Sequence, residues 1–192
     1  ELMAQLQAML DGRAAERMLY IWGEAGSGKT YLLQACAHAC RRRGMTVDTS
    51  GRGEAQVVIA DHADSWDAAQ QQAVFAAYNR ARQGGSLWLA AGRRPPAELP
   101  LVPELRTRLG WGLVFQLHAL DDGEKRAALA QHAATLGFRL DPQVADYLLI
   151  HTARDMQSLL GVLEALDRYS LETQRPITLP LLRQLLAGLH RA

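Results

Sequence analysis

The sequence has few cysteines, little net charge and no long apolar run. Its 192 residues include two cysteines and carry a formal net charge of +1. This small charge provides no broad electrostatic footprint for nucleic acid, so strong direct DNA binding is not expected. No stretch approaches the ~18 apolar residues of a membrane helix, so no membrane association is expected. With no signal-peptide pattern either, the expected location is cytoplasmic.

The two cysteines, Cys36 and Cys40, lie four residues apart on a predicted helix. His38 falls on a different face of that helix, and a zinc site needs four ligands. We therefore interpret both cysteines as small apolar residues that pack on a sheet, and we assign them no chemistry.

What the sequence does contain is a complete phosphate-loop motif, Gly23-Glu24-Ala25-Gly26-Ser27-Gly28-Lys29-Thr30. A predicted buried strand, 18–22, enters it, and a predicted helix, 31–40, leaves it. Glycines allow a tight turn whose N–H groups face phosphate oxygens, while the lysine reaches the β- and γ-phosphates and the threonine ligates Mg²⁺. The alternative is a glycine-rich turn without a ligand. We predict binding of ADP or ATP with Mg²⁺, through Gly23, Ala25, Gly26, Ser27, Gly28, Lys29, Thr30 and Tyr31.

Apolar runs separated by helical patterns predict an α/β domain. The predicted strands are residues 18–22, 45–47, 56–60, 86–91 and 113–117. Strands that alternate with helices indicate a parallel sheet with its ligand at the carboxyl ends of the strands. After His118 only helical patterns remain. We therefore predict an α/β domain over residues 1–118 and a small all-helical domain over residues 119–192.

Asp61 ends the third predicted strand and is the expected second Mg²⁺ partner beside Thr30. An aspartate that only caps a turn is the alternative. His62 follows, at the place where a hydrolysing ATPase usually has an acidic residue that orients water. A histidine lacks the permanent charge of a carboxylate. We therefore expect weak ATP hydrolysis by the chain itself.

Two arginines are candidates for phosphate contacts outside the loop. Arg106 and Arg108 lie on different faces of a short predicted helix, so one can hold local structure while the other projects toward a neighbour's nucleotide. A solvated surface arginine is the alternative. Arg154 opens a helix of the second domain and could contact phosphates on domain closure, or else pair with Asp155.

These residues together resemble the AAA+ ATPases of the bacterial DnaA group, and most closely the Hda family of DnaA regulatory inactivators. The resemblance covers nearly the whole chain. It rests on Gly23–Thr30 (Walker A), Val57–Asp61 (Walker B), Tyr78–Arg80, Arg94–Pro96, Glu104–Gly112, Arg154–Leu160 and Arg168–Leu182. It implies an AAA+ P-loop parallel sheet with helices on both faces, followed by a helical lid.

The resemblance also implies functional roles. Arg108 is similar to the arginine finger that acts in trans on ATP held by DnaA, and Arg154 to the sensor 2 arginine. The implied function is inhibition of replication initiation together with the DNA-loaded sliding clamp, with bound ADP favouring the active form. Arg93 occupies the usually acidic sensor 1 position.

The family pattern also includes segments that are not found among these residues, and they bear on the expected partners. The family's amino-terminal clamp-binding peptide is absent from these residues, so clamp binding is implied by the resemblance alone. The absence of a helix-turn-helix domain after residue 192 suits a regulator rather than the initiator. Homo-oligomerisation stays open. Two alternatives stay open as well: a self-sufficient P-loop ATPase of helicase-loader type, and an adaptor without a chemical role.

Overall fold

The computed structural model describes residues 1–153 and 155–189, which form two compact units. The first unit is Glu1–Ala119, and the second begins at Leu120. None of the described helices combines the length and the apolar character that a membrane span requires.

The first unit is a parallel sheet with helices on both faces, as predicted. Its strands are β1 (Met18–Trp22), β2 (Val47–Asp48), β3 (Val57–Ala60), β4 (Leu87–Gly92) and β5 (Leu113–Gln116). Their order across the sheet is β2-β3-β4-β1-β5. The helices are α1 (Leu2–Leu10), α2 (Lys29–Arg42), α3 (Ala68–Gly84) and α4 (Pro103–Gly110).

The second strand begins later than the predicted 45–47. Met45 still belongs to the turn that closes α2, because its N–H donates to the Cys40 carbonyl oxygen at 3.1 Å. Residues Val47 and Asp48 then pair with Val57 and Val58 of β3.

Side chains of β1 alternate between two cores. Leu19 and Ile21 pack with α1 and α2, where Cys36 and Cys40 are also buried. Met18 and Tyr20 belong to the opposite core, with α3 and α4. A parallel strand covered on both faces is apolar throughout rather than alternating, which is why these strands read as continuous apolar runs. Burial raises the pKa of the Cys36 thiol to about 11, so it is inert near neutral pH.

The second unit contains only helices among its described residues. They are α5 (Asp122–Thr135), α6 (Pro142–His151), α7 (Met156–Thr173) and α8 (Leu179–Leu189). Asp121 caps α5, because its carboxylate accepts from Glu124 N while the Glu124 side chain accepts from Asp121 N. Leucines of all four helices share one buried core, as predicted for a small helical lid.

Gly112 joins α4 to β5 at a point with no room for a side chain. A Cβ added there would lie 2.3 Å from the Met18 carbonyl oxygen of β1. We expect Gly112→Ala to lower the free energy of unfolding by about 2 kcal/mol, because β5 must shift away from β1. Urea unfolding followed by circular dichroism measures this effect. Gly84→Ala is the matched control, since an added Cβ on Gly84 meets nothing within 4 Å; an equal loss in both variants would contradict the steric explanation.

Candidate nucleotide site

The loop between β1 and α2 carries the predicted phosphate site. Gly28 is the N-cap of α2 and has a φ of 92°, a left-handed conformation that side chains rarely adopt. The amide groups in the first turn of α2 have no partners within the helix, so they are available to an anion. At the start of the loop, Gly23 N–H donates to the Gly92 carbonyl oxygen of β4 at 3.3 Å. The loop is therefore anchored to the carboxyl end of the sheet.

The Lys29 ammonium group is buried beneath this loop and is fully engaged by it. Its Nζ donates to the Gly23 carbonyl oxygen at 2.8 Å, to the Glu24 carbonyl oxygen at 2.7 Å and to Ser27 Oγ at 3.1 Å. An ammonium group has three donors, so all three are used within the loop. A phosphate that reaches Lys29 must therefore replace one or more of these bonds.

Thr30 and Asp61 meet across the sheet end. The Thr30 hydroxyl donates to Asp61 Oδ2 at 2.6 Å. Asp61 is held from two sides, because its carbonyl oxygen accepts from Trp66 Nε1 at 2.9 Å and its Oδ1 accepts from His62 N at 2.7 Å. A hydroxyl and a carboxylate side by side are oxygen ligands of the kind that Mg²⁺ prefers, directly or through its water shell.

His62 has an unusual backbone and an outward side chain. Its φ of 57° is left-handed, which is uncommon for a residue with a Cβ and clusters at functional sites. Its side chain is 73% exposed, with Nε2 3.7 Å from Asp61 Oδ2. The position after Asp61 therefore carries an exposed imidazole.

Asp64 is a site residue that the sequence analysis missed. It lies on a short 3₁₀ turn, Ala63–Ser65, after β3. Its Oδ2 accepts from Arg93 N, and its Oδ1 is buried without a hydrogen-bond partner in the described part of the chain. The available signal was an aspartate three residues after Asp61, at the same end of the sheet.

Asp61 and Asp64 line one cleft of about 410 Å³ together with Lys29. The pKa of Lys29 is lowered mainly by burial, and the two carboxylates act in the opposite direction. The pKa of Tyr20 is raised by burial first, then by the charges of Asp64 and Asp61. Two carboxylates would repel a phosphate, so an anionic ligand here fits best with a divalent cation. The residues present therefore fit a nucleotide with Mg²⁺.

The cleft contains some of the predicted site residues and not others. Its lining includes Ala25, Gly26, Lys29, Thr30 and Asp61, and also His62, Asp64 and Arg93. The side chain of Tyr31 is 44% exposed at the start of α2. Arg154 lies outside the described residues.

Arg108 lies elsewhere, on α4, and is not part of this cleft. Its guanidinium carbon lies 3.9 Å from the centroid of the Trp111 ring. It is thus held near the surface by an aromatic side chain, away from the chain's own phosphate loop.

A phosphate loop after β1, an acidic residue directly after β3 and the strand order β2-β3-β4-β1-β5 define an AAA+ module, here followed by a helical lid. Residues 122–186 match the family described as "Hda, lid domain". An uncharacterized protein of Haemophilus influenzae is 32% identical over an alignment of 191 residues. The match covers 87% of this chain and 80% of that protein. The chain belongs to the Hda-like family of AAA+ proteins, which are DnaA-related regulators.

Solved structures share the fold. Domain III of DnaA from Thermotoga maritima superposes with a TM-score of 0.74 at 18% identity, over 97% of this chain and 89% of that one. AMPPCP-bound DnaA from Aquifex aeolicus superposes with a TM-score of 0.67 at 19% identity, over 84% of this chain. The match covers 59% of that DnaA chain. At these identities the likeness establishes the fold alone.

Proposed function

We propose that the chain holds ADP or ATP with Mg²⁺ between its phosphate loop and Asp61. Two hydrogen bonds support this, that of Lys29 to the loop carbonyl of Gly23 and that of Thr30 to Asp61. AMPPCP-bound DnaA is a nucleotide-bound protein of the same fold. When bound, the metal neutralises phosphate charge. Lys29 contributes the cation under the loop, Thr30 and Asp61 hold the metal, and Gly23 to Gly28 supply amide donors. Arg154 is proposed as the lid's sensor 2 arginine.

The bound nucleotide is proposed to regulate the conformation of the chain rather than to supply energy through hydrolysis. The position after Asp61 carries an exposed imidazole instead of a fixed carboxylate, so a water molecule is poorly oriented for attack. Slow turnover leaves ADP or ATP in place long enough to bias the conformation of the chain.

The chemical contribution is proposed to be made in trans through Arg108. The observation that carries this proposal is a half-buried guanidinium that has no acidic partner among the described residues. An arginine that must meet a phosphate in another protein keeps its charge and its terminal donors free. We propose that Arg108 reaches ATP bound to DnaA, promotes its hydrolysis and so inhibits replication initiation.

Further partners follow from the family resemblance. We propose the DNA-loaded sliding clamp as the platform on which the chain meets DnaA, through an amino-terminal motif that these residues lack. A homo-oligomer is proposed as well. The proposed location is the cytoplasm, where the initiator works.

Single-turnover hydrolysis of ATP preloaded on DnaA tests the proposed function. The chain is saturated with ADP and added in excess over DnaA, with and without DNA-loaded clamp. We expect the chain to accelerate hydrolysis, because an arginine supplied in trans stabilises charge in the transition state. No acceleration in either arm would contradict the proposal.

A second candidate, the self-sufficient ATPase of helicase-loader type, is favoured by Asp64. Its buried Oδ1 places an acceptor without a partner in the described structure beside Lys29 and Asp61, where a water-orienting carboxylate could act.

Asp64→Asn separates the two candidates, because asparagine can still accept from Arg93 N but cannot act as a base. Under the proposed function we expect slow steady-state ATP turnover by the chain alone, changed less than about 2-fold by the substitution. The self-sufficient ATPase instead requires a fall of about 10²-fold or more in kcat. Such a fall would overturn our preference.

A further inference from the structure

Trp111 is an exposed tryptophan on a fixed backbone. Its side chain is 51% exposed, although aromatic residues of this size are usually mostly buried. Its backbone N–H donates to the Arg108 carbonyl oxygen at 3.2 Å, which closes the last turn of α4. The next residue, Gly112, is wedged against Met18 of β1. The indole therefore projects from a short connection that is held by a helix on one side and by the sheet on the other.

Among the described residues, the Arg108 guanidinium lies over two aromatic rings and has no ion-pair partner. Its guanidinium carbon lies 3.9 Å from the Trp111 ring centroid and 5.8 Å from that of Phe75. Its Nε is buried without a hydrogen-bond partner among the described residues. Arginine stacks well on aromatic faces because its planar cation is weakly hydrated.

Other arginines of the chain are bound differently. Arg80 lies 3.1 Å from a carboxylate oxygen of Glu54, and Arg126 lies 2.6 Å from Asp146. A carboxylate partner orders a guanidinium but neutralises it and occupies its donors. An aromatic partner orders the guanidinium while leaving its charge and its terminal donors available. This difference matters for an arginine that has to meet an anion.

A second arginine shares the same ring. The guanidinium carbon of Arg82, in the last turn of α3, lies 4.7 Å from the Trp111 centroid. Two cations on one indole repel each other, and neither forms an ion pair in the described part of the chain. An anion that approaches Arg108 relieves this repulsion.

We propose that Trp111 is a positioning residue for Arg108, holding the guanidinium ordered, charged and unpaired at the surface where it meets a partner's phosphate. The inference rests on the proposed function in trans. It deepens that function, because it identifies what orders the arginine before the partner arrives. Holding one rotamer-rich side chain in advance is worth about 3- to 10-fold in rate.

Arginine side-chain NMR tests the stacking without any partner. The Arg108 Nε–H signal, assigned by its loss in Arg108→Lys, is expected upfield of the arginine signals other than that of Arg82, because only these two guanidinium groups lie over the indole among the described residues. We expect Trp111→Ala to abolish this shift and Trp111→Phe to retain part of it. A signal that is not shifted, or that does not move in Trp111→Ala, would overturn the proposal whatever the chain does to DnaA.

Single-turnover hydrolysis of DnaA-bound ATP tests the consequence. We expect Trp111→Ala to lower the maximal rate about 3- to 10-fold, with a half-saturating chain concentration changed less than about 2-fold. Trp111→Phe should recover most of the rate. Val102→Ala, which truncates an exposed side chain at the other end of α4, should leave it unchanged.

The outcomes separate the two proposals. Stimulation by the wild type that is equal in Trp111→Ala would overturn the positioning role and leave the proposed function standing. If Trp111→Ala raised only the half-saturating chain concentration and left the maximal rate unchanged, the positioning role would also be overturned. Trp111 would then be a docking residue. A wild-type chain that does not stimulate at all would remove the proposed function itself and the positioning role with it.

Discussion

Replacement of Arg108 by alanine is expected to slow the chain-stimulated hydrolysis of DnaA-bound ATP by about 10³-fold. Negative charge spreads over the transferring phosphoryl group in the transition state, and a guanidinium placed there stabilises it. The fold should survive the substitution, because Arg108 donates no side-chain hydrogen bond to the described residues and packs on the half-exposed Trp111. The loss should therefore appear in the maximal single-turnover rate, with the half-saturating chain concentration changed only a few-fold.

Arg106→Ala is the matched control for Arg108→Ala. Arg106 lies on the same helix, two residues earlier, and its Nη1 donates to the Ala97 carbonyl oxygen at 3.4 Å, so it is directed toward its own chain. We expect this variant to retain the stimulated rate. Arg108→Lys should recover only part of it, because an ammonium group keeps the charge but loses the planar fork. Equal stimulation by wild type and Arg108→Ala would leave the chain as an adaptor.

The phosphate loop and the alternation of strands with helices could be predicted because their signals are local. Lys29 and Thr30 follow Gly28 in an unbroken motif, and the strands covered on both faces are short apolar runs. The resemblance to the DnaA group, which includes the helical lid, is confirmed by the family match at residues 122–186. The roles of Arg108 and Arg154 stay predictions.

What the sequence could not provide depends on contacts between distant segments. Asp64 enters the cleft because a 3₁₀ turn after β3 brings it under Arg93, which is 29 positions away. Trp111 meets Arg82 only because α3 and α4 pack together. The start of β2 was misplaced because Met45 is apolar and yet completes the end of α2, a distinction that depends on one hydrogen bond.

Replacement of Lys29 by alanine is expected to raise the Kd for ADP and for ATP by about 100-fold, through the loss of charge-assisted hydrogen bonds to phosphate. In the wild type, nucleotide binding exchanges one set of Lys29 hydrogen bonds for another. In the described structure Lys29 already donates to Gly23, Glu24 and Ser27, so binding replaces these bonds with stronger ones to an anion. Burial also lowers the pKa of Lys29, while the charges of Asp61 and Asp64 act in the opposite direction.

Titration with a fluorescent ADP analogue measures this change, and unfolding in urea without nucleotide is the control for the loop. The alanine variant should lose about 1–3 kcal/mol of stability, because the buried Gly23 carbonyl oxygen and Ser27 Oγ lose their donor. An unchanged Kd would place the nucleotide elsewhere.

The sharper test of Lys29→Ala combines it with DnaA. If bound ADP is the signal that makes Arg108 available, the variant should fail to stimulate hydrolysis at an ADP concentration that saturates the wild type. It should recover when ADP is raised by about the same 100-fold factor, because mass action restores occupancy. Recovery at high ADP would show that the activity of Arg108 depends on ADP occupancy of the phosphate loop. Full stimulation by the variant without ADP would show instead that Arg108 acts whether or not the chain's own site is filled.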